Sequence, residues 1–185
     1  MNSAVRDVKR YAAFAAFVAT VFGANWALNR YGIIDIGFGQ SAPAGVLFAG
    51  LAFTARDLLH EAGGRAWVLV AIVVGAGLSF GLEDAQRIAL ASGVAFGVSE
   101  LADMAVFTPL RRTNWLLAVG ASNVVGFTLD SILFLWLAFG SLAFIEGQLL
   151  GKFYMTAAAI AVLWLWRHRD LLERQGERLP PLGPR

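Results

Sequence analysis

Apolar positions fall into six long runs separated by short polar breaks. The runs are Tyr11–Leu28, Pro43–Leu59, Trp67–Leu82, Ile88–Phe107, Trp115–Phe139 and Leu149–Trp166. Each is close to the roughly 17–25 residues that carry a helix across a bilayer. The second and third are the shortest and carry or border charges. Ser41-Ala42-Pro43 predicts a helix start, because proline fits the first helical turn. Gly63-Gly64 predicts a tight turn between the second and third runs. The polar tail after Trp166 predicts a short cytoplasmic helix followed by disorder. The expected organisation is a transmembrane domain over 1–170 and a cytoplasmic tail over 171–185. The two halves share only loose acidic patterns, such as Ala55-Arg56-Asp57 and Ser99-Glu100-Leu101, which do not make a repeat.

Composition turns this pattern into a solvent argument. The chain has 185 residues, 58% of them hydrophobic and 15% charged. A soluble domain has roughly 45–50% apolar and about 25% charged residues. The mean hydropathy is +0.63. These values exclude a soluble enzyme, a disordered protein and a free nucleic-acid-binding domain, and no nucleic-acid partner is expected. The expected fold is an all-α integral membrane bundle of six transmembrane helices. With no cysteine, disulfides, thiolate metal sites and cysteine nucleophiles are excluded. His60 and His168 are too few for a multi-histidine metal site, and no cofactor is expected. The first run is long and no small-residue cleavage site follows it, unlike a signal peptide.

Charge placement predicts orientation. Arg6, Lys9 and Arg10 precede the first run, Arg65 follows the second and Arg111-Arg112 the fourth. Arg167, Arg169, Arg174, Arg178 and Arg185 follow the sixth. The opposite breaks hold Arg30 and Arg87 beside Asp35, Glu83, Asp84 and Glu146. The positive-inside rule then puts both termini in the cytoplasm. The net charge of +2 reflects these basic ends. Trp26, Trp67, Trp115, Trp164 and Trp166 sit near run ends, as interfacial aromatics do.

A few charges break the apolar pattern. They are Arg56, Asp57, His60 and Glu61 in and after the second run, Glu100 and Asp103 in the fourth, Asp130 in the fifth and Lys152 in the sixth. Each costs at least about 2.5–3.5 kcal/mol at a span centre, so such residues face a cavity or pair with one another. Acids outnumber bases in this set. Asp57, His60 and Glu61 share one helix face by spacing, as do Glu100 and Asp103. Asn123 and Asp130 lie seven apart, on one face. Structural readings compete with these. Arg56 and Asp57 reach the interface by snorkelling, His60 is interfacial, and Lys152 marks the membrane surface. Gly77-x-x-x-Gly81 and Gly93-x-x-x-Gly97 predict close helix packing within the bundle. No phosphate loop, HExxH or Ser/His dyad is present, so no catalytic residue is assigned and the chain is not expected to be an enzyme.

Residues 87–140, RIALASGVAFGVSELADMAVFTPLRRTNWLLAVGASNVVGFTLDSILFLWLAFG, resemble the queuosine precursor transporter family, also called the vitamin uptake transporter family. The resemblance rests on Ser92, Glu100, Asp103, Phe107, Leu110, Arg111, Trp115, Ser122, Asn123 and Asp130. Upstream it extends to Asn25, Pro43 and the stretch Asp57-Leu58-Leu59-His60-Glu61-Ala62-Gly63. Downstream it extends to Gln148 and Lys152. It covers most of residues 25–155. The chain departs from the family in its compact loops and in a last helix without proline.

The resemblance implies uptake of a 7-deazaguanine base with a cyano or aminomethyl substituent. A carboxylate accepts adjacent N–H donors of a guanine-like edge side by side. Asp130, Glu100 or Asp103 fits that task, with Asn123 and Gln148 for the carbonyl or ring nitrogen. The candidate substrate-binding set is Asn25, Asp57, Glu61, Phe96, Glu100, Asp103, Asn123, Asp130, Gln148 and Lys152. Phe96, Phe107, Phe127 and Phe134 are candidates for stacking. The expected setting is a prokaryotic inner membrane, with the lipid bilayer as partner, alternating access, protons as the candidate coupling ion and a homodimer as the candidate assembly. The alternative readings are the substrate-binding subunit of an energy-coupling-factor importer, a membrane enzyme or an interaction protein.

Overall fold

The first run lies inside one long helix, α1 (Ser3–Tyr31). Gly32 ends it at φ 64°, with its N–H donating to the Leu28 carbonyl at 2.8 Å. A left-handed residue just past a helix is the usual glycine cap. The structure is a computed structural model and describes residues 3–82, 86–110, 112–113 and 115–176. The acidic pair Glu83 and Asp84, the basic Arg111, and residues 177–185 of the tail lie outside them.

A β-hairpin follows α1 where the sequence predicts a helix start. β1 (Ile33–Gly37) and β2 (Gln40–Pro43) pair antiparallel, with Ile33 opposite Pro43 and Ile34 opposite Ala42. Gly37, Phe38 and Gly39 all take positive φ and close the turn. Pro43 therefore ends a strand, and α2 (Val46–Gly63) starts three residues later. Gly64 takes φ 81° and its N–H caps the His60 carbonyl, so α2 meets α3 (Arg65–Ser79) through one residue, as Gly63-Gly64 predicts. α4 (Gln86–Leu110), α5 (Trp115–Phe139) and α6 (Ile145–Gly176) complete the chain. α6 runs on past Trp166, so the helix expected in the tail is its continuation.

α4 packs along α5, while α1 packs on α2 and α3, and α2 on α6. Phe17, Phe53, Leu59, Val68, Ile72 and Phe96 form the centre of the apolar core. The α2–α6 contact is made backbone to backbone. A Cβ at Gly50 would stand 2.7 Å from the Met155 Cβ and 2.9 Å from the Lys152 carbonyl oxygen, and one at Gly151 would stand 2.8 Å from Val46. The two predicted glycine pairs do little of this work. Gly77 and Gly97 face open space, and Gly93 alone makes a tight contact, with Ala76.

Among the described residues, two helices have the length and hydropathy to cross a membrane, over Ala4–Tyr31 and Gln86–Leu110, with shorter apolar stretches at Arg65–Ser79 and Val124–Phe139. α3 has 15 residues, about 22 Å at 1.5 Å per residue, shorter than the roughly 30 Å hydrocarbon layer. Large apolar side chains face outward all around, including Val73, Val124, Trp136 and Phe153. Exposed apolar side chains in this number suit a partner or a membrane better than water.

Candidate functional site

α5 and α6 each bring one charge to the interior. The Lys152 ammonium donates to Asp130 Oδ2 at 2.5 Å and to Ser131 Oγ at 2.7 Å. Lys152 is 1% exposed and Asp130 is 5% exposed. Charge taken this far from solvent is tolerable only when paired and hydrogen-bonded. Lys152 therefore does not mark the membrane surface.

Around this pair lies a small cavity. Asn25, Ser92, Phe96, Phe134 and Gln148 line it together with the pair itself. The Asn25 amide nitrogen donates to Ser79 Oγ at 2.9 Å and to the Val21 carbonyl at 3.2 Å. Gln148 stands one helical turn before Lys152 and is buried, and its Oε1 has no hydrogen-bond partner. An unpartnered buried acceptor costs about 1–3 kcal/mol, so an N–H donor brought into the cavity would recover that cost. The space here is about 30 Å³, enough for one or two water molecules. A bicyclic base would enter only after the helices part.

A second charge cluster lies nearer the α2–α3 turn. Arg56 Nη1 donates to Glu100 Oε2 at 2.5 Å and lies 3.8 Å from Asp103 Oδ2. Asp57 Oδ1 is 3.0 Å from Arg56 Nε. That contact is Coulombic, since the N–H does not point at the carboxylate. Arg56 is 4% exposed and does not snorkel. Arg56, Asp57, His60, Arg65, Asp103 and Phe107 line a basin of about 170 Å³.

The predicted residues therefore divide. Asn25, Phe96, Asp130, Gln148 and Lys152 meet at the cavity. Asp57 and Asp103 meet at the basin, with Glu100 held against Arg56. Glu61 is exposed and lines neither space. Asn123 lies in α5, but its side chain is outside the described ones. Among the stacking candidates, Phe134 joins Phe96 at the cavity, Phe107 lines the basin, and Phe127 stacks on Phe53 with ring centres 4.3 Å apart. Contributors outside the predicted substrate-binding set include Arg56, Arg65, Ser131 and Phe53. Arg56 is legible as a charge in an apolar run, with snorkelling as the competing reading, Ser131 is legible as the neighbour of Asp130, and Phe53 carries no signal beyond its position one turn before Arg56.

Residues 79–167 match the model of a family described as "Putative vitamin uptake transporter". Over that segment the chain is similar to the vitamin uptake transporter family. No curated protein and no solved structure matches the chain. The matched segment spans just under half of the chain and runs through α4, α5 and most of α6. It holds Phe96, Glu100, Asp103, Asp130, Gln148 and Lys152, whereas Asn25, Phe53, Arg56 and Asp57 come from α1 and α2, ahead of it. The family description is of an uptake transporter, which fits a membrane protein that moves a small molecule rather than one that transforms it.

Proposed function

We propose that the chain imports a queuosine precursor, a 7-deazaguanine base with a cyano or aminomethyl substituent, across a prokaryotic inner membrane by alternating access. The observation that carries this reading is the cavity lined by Asp130, Gln148 and Lys152 of the matched segment, where a charge-balanced Asp130–Lys152 pair stands beside the unpartnered Gln148 Oε1. The pair's charges cancel, so the site favours a neutral ligand rich in hydrogen-bond groups over an ion. The N–H donors of a guanine-like edge reach Gln148 Oε1 and Asp130, while Lys152 donates to the carbonyl. The amide nitrogen of Asn25 is spent on Val21 and Ser79, so it offers its carbonyl oxygen. Phe96 and Phe134 supply the apolar flanks for a planar ring. The carboxylates around Arg56, which outnumber it, are the place for a coupling proton.

Ligand-dependent melting of the purified chain is the direct test, because a ligand that binds the folded state raises its melting temperature by mass action. A cyano-substituted 7-deazaguanine is expected to stabilise the chain, and Asp130→Asn and Gln148→Leu are expected to lose the shift. Labelled base is expected to enter cells that cannot make it when they express the wild type. A vitamin that stabilises the chain while every deazaguanine fails would overturn the substrate assignment.

A further inference from the structure

We infer that the basin around Arg56 is a second station for the same base, and that the Phe53 ring is the partition between the two stations. This rests on the transport reading above. Three helices give the same order of features. Along α2, Val46 and Ala52 line the cavity, Phe53 follows, and Arg56, Asp57 and His60 line the basin. Along α4 the order is Ser92, Phe96, then Asp103. Along α5, which runs the opposite way, Ser122 at the basin precedes Phe127, and Asp130 and Phe134 at the cavity come after it. The rings meet at the middle of this order. Phe53 stacks on Phe127 and lies 5.0 Å from the Phe96 ring centre.

One cation from each space leans on the same ring. Lys152 Nζ lies 5.6 Å and Arg56 Cζ 5.7 Å from the Phe53 centre. Both fall within the cation–π range, so the ring is held from both spaces. The basin carries the hydrogen-bond groups that a base edge needs. Asp103 Oδ1 and Arg65 Nε are buried there without hydrogen-bond partners, an acceptor and a donor on residues lining one space. A ligand with adjacent donors and acceptors suits both spaces, and a turn of one side chain, Phe53, joins them.

The chain has no cysteine, so any introduced thiol is unique. Ser92→Cys reports on the cavity and His60→Cys on the basin, in vesicles holding the full chain and treated on one face with an impermeant thiol reagent. Ser92→Cys is expected to react faster from the hairpin face and His60→Cys from the face of the α2–α3 turn. Cyano-substituted 7-deazaguanine is expected to slow both reactions. Adding Phe53→Ala is expected to raise the reaction of Ser92→Cys from the turn face several-fold, with Phe53→Leu giving a smaller rise and serving where the alanine variant fails to fold. Protection of one thiol alone, or an unchanged rate in whichever Phe53 variant folds, overturns the inference. Protection of neither thiol, with no shift in melting, overturns the transport reading instead.

Discussion

Lys152 and Arg56 are almost wholly buried, and each is held by a carboxylate on another helix. Breaking such a pair by removing one member strands a buried charge, at a cost of about 3–5 kcal/mol, whereas replacing both members by apolar groups is often close to neutral. Lys152→Ala is therefore expected to lower the melting temperature in detergent sharply. The double substitution Lys152→Met with Asp130→Leu is expected to recover most of the loss, yet to leave uptake abolished. A double variant as unstable as the single would show that the pair is not what holds α5 to α6. The sequence makes Asp130 and Lys152 visible separately, as polar residues in apolar runs. Their pairing is not visible, because it depends on how two helices rotate about their axes. Arg56 misleads for the same reason. Its place near a helix end permits snorkelling, and only its pairing with Glu100 of α4 reveals that the guanidinium turns inward.

At the scale of elements, the apolar runs locate all six helices, and α5 coincides with its run over Trp115–Phe139. The hairpin is missed because its strands are short, carry no long alternation, and end on the proline that resembles a helix start. The glycine pattern is legible in kind and misplaced in position. Small residues do bring helices together, at Gly50 and Gly151 and, of the two spaced pairs, at Gly93 alone, since spacing cannot say which face meets a neighbour. Gly50→Val would drive a side chain into the α6 backbone beside Lys152, and overpacking of this kind costs about 1–3 kcal/mol. It is expected to lower both the melting temperature and base binding, because it moves Lys152. Gly77→Ala, in open space, is expected to change neither. Equal losses from the two substitutions would remove the α2–α6 contact as the element that positions the cavity.

For the whole molecule, the arrangement of charge along the bundle fixes an expected orientation. The Arg10 guanidinium lies 4.7 Å from the Trp67 ring centre, which ties the start of α1 to the α2–α3 turn that carries Arg65. Arg112 follows α4, which runs from the cavity toward the basin and so ends beyond it. The hairpin between α1 and α2 belongs to the other end with Asp35, and Ser41 of its second strand packs against Gly147 beside Glu146. Basic residues thus gather at the basin end, and the positive-inside rule predicts that end on the cytoplasmic side and the cavity end outside. In the proposed import path the base then meets the cavity before the basin. Phe38 is 88% exposed at the hairpin tip, and Arg112 is exposed after α4. In intact cells, Phe38→Cys is expected to react with an impermeant reagent from outside, and Arg112→Cys only after the membrane is opened. The reverse result would keep the fold and both spaces but exchange their order, making the basin the entry and the cavity the exit.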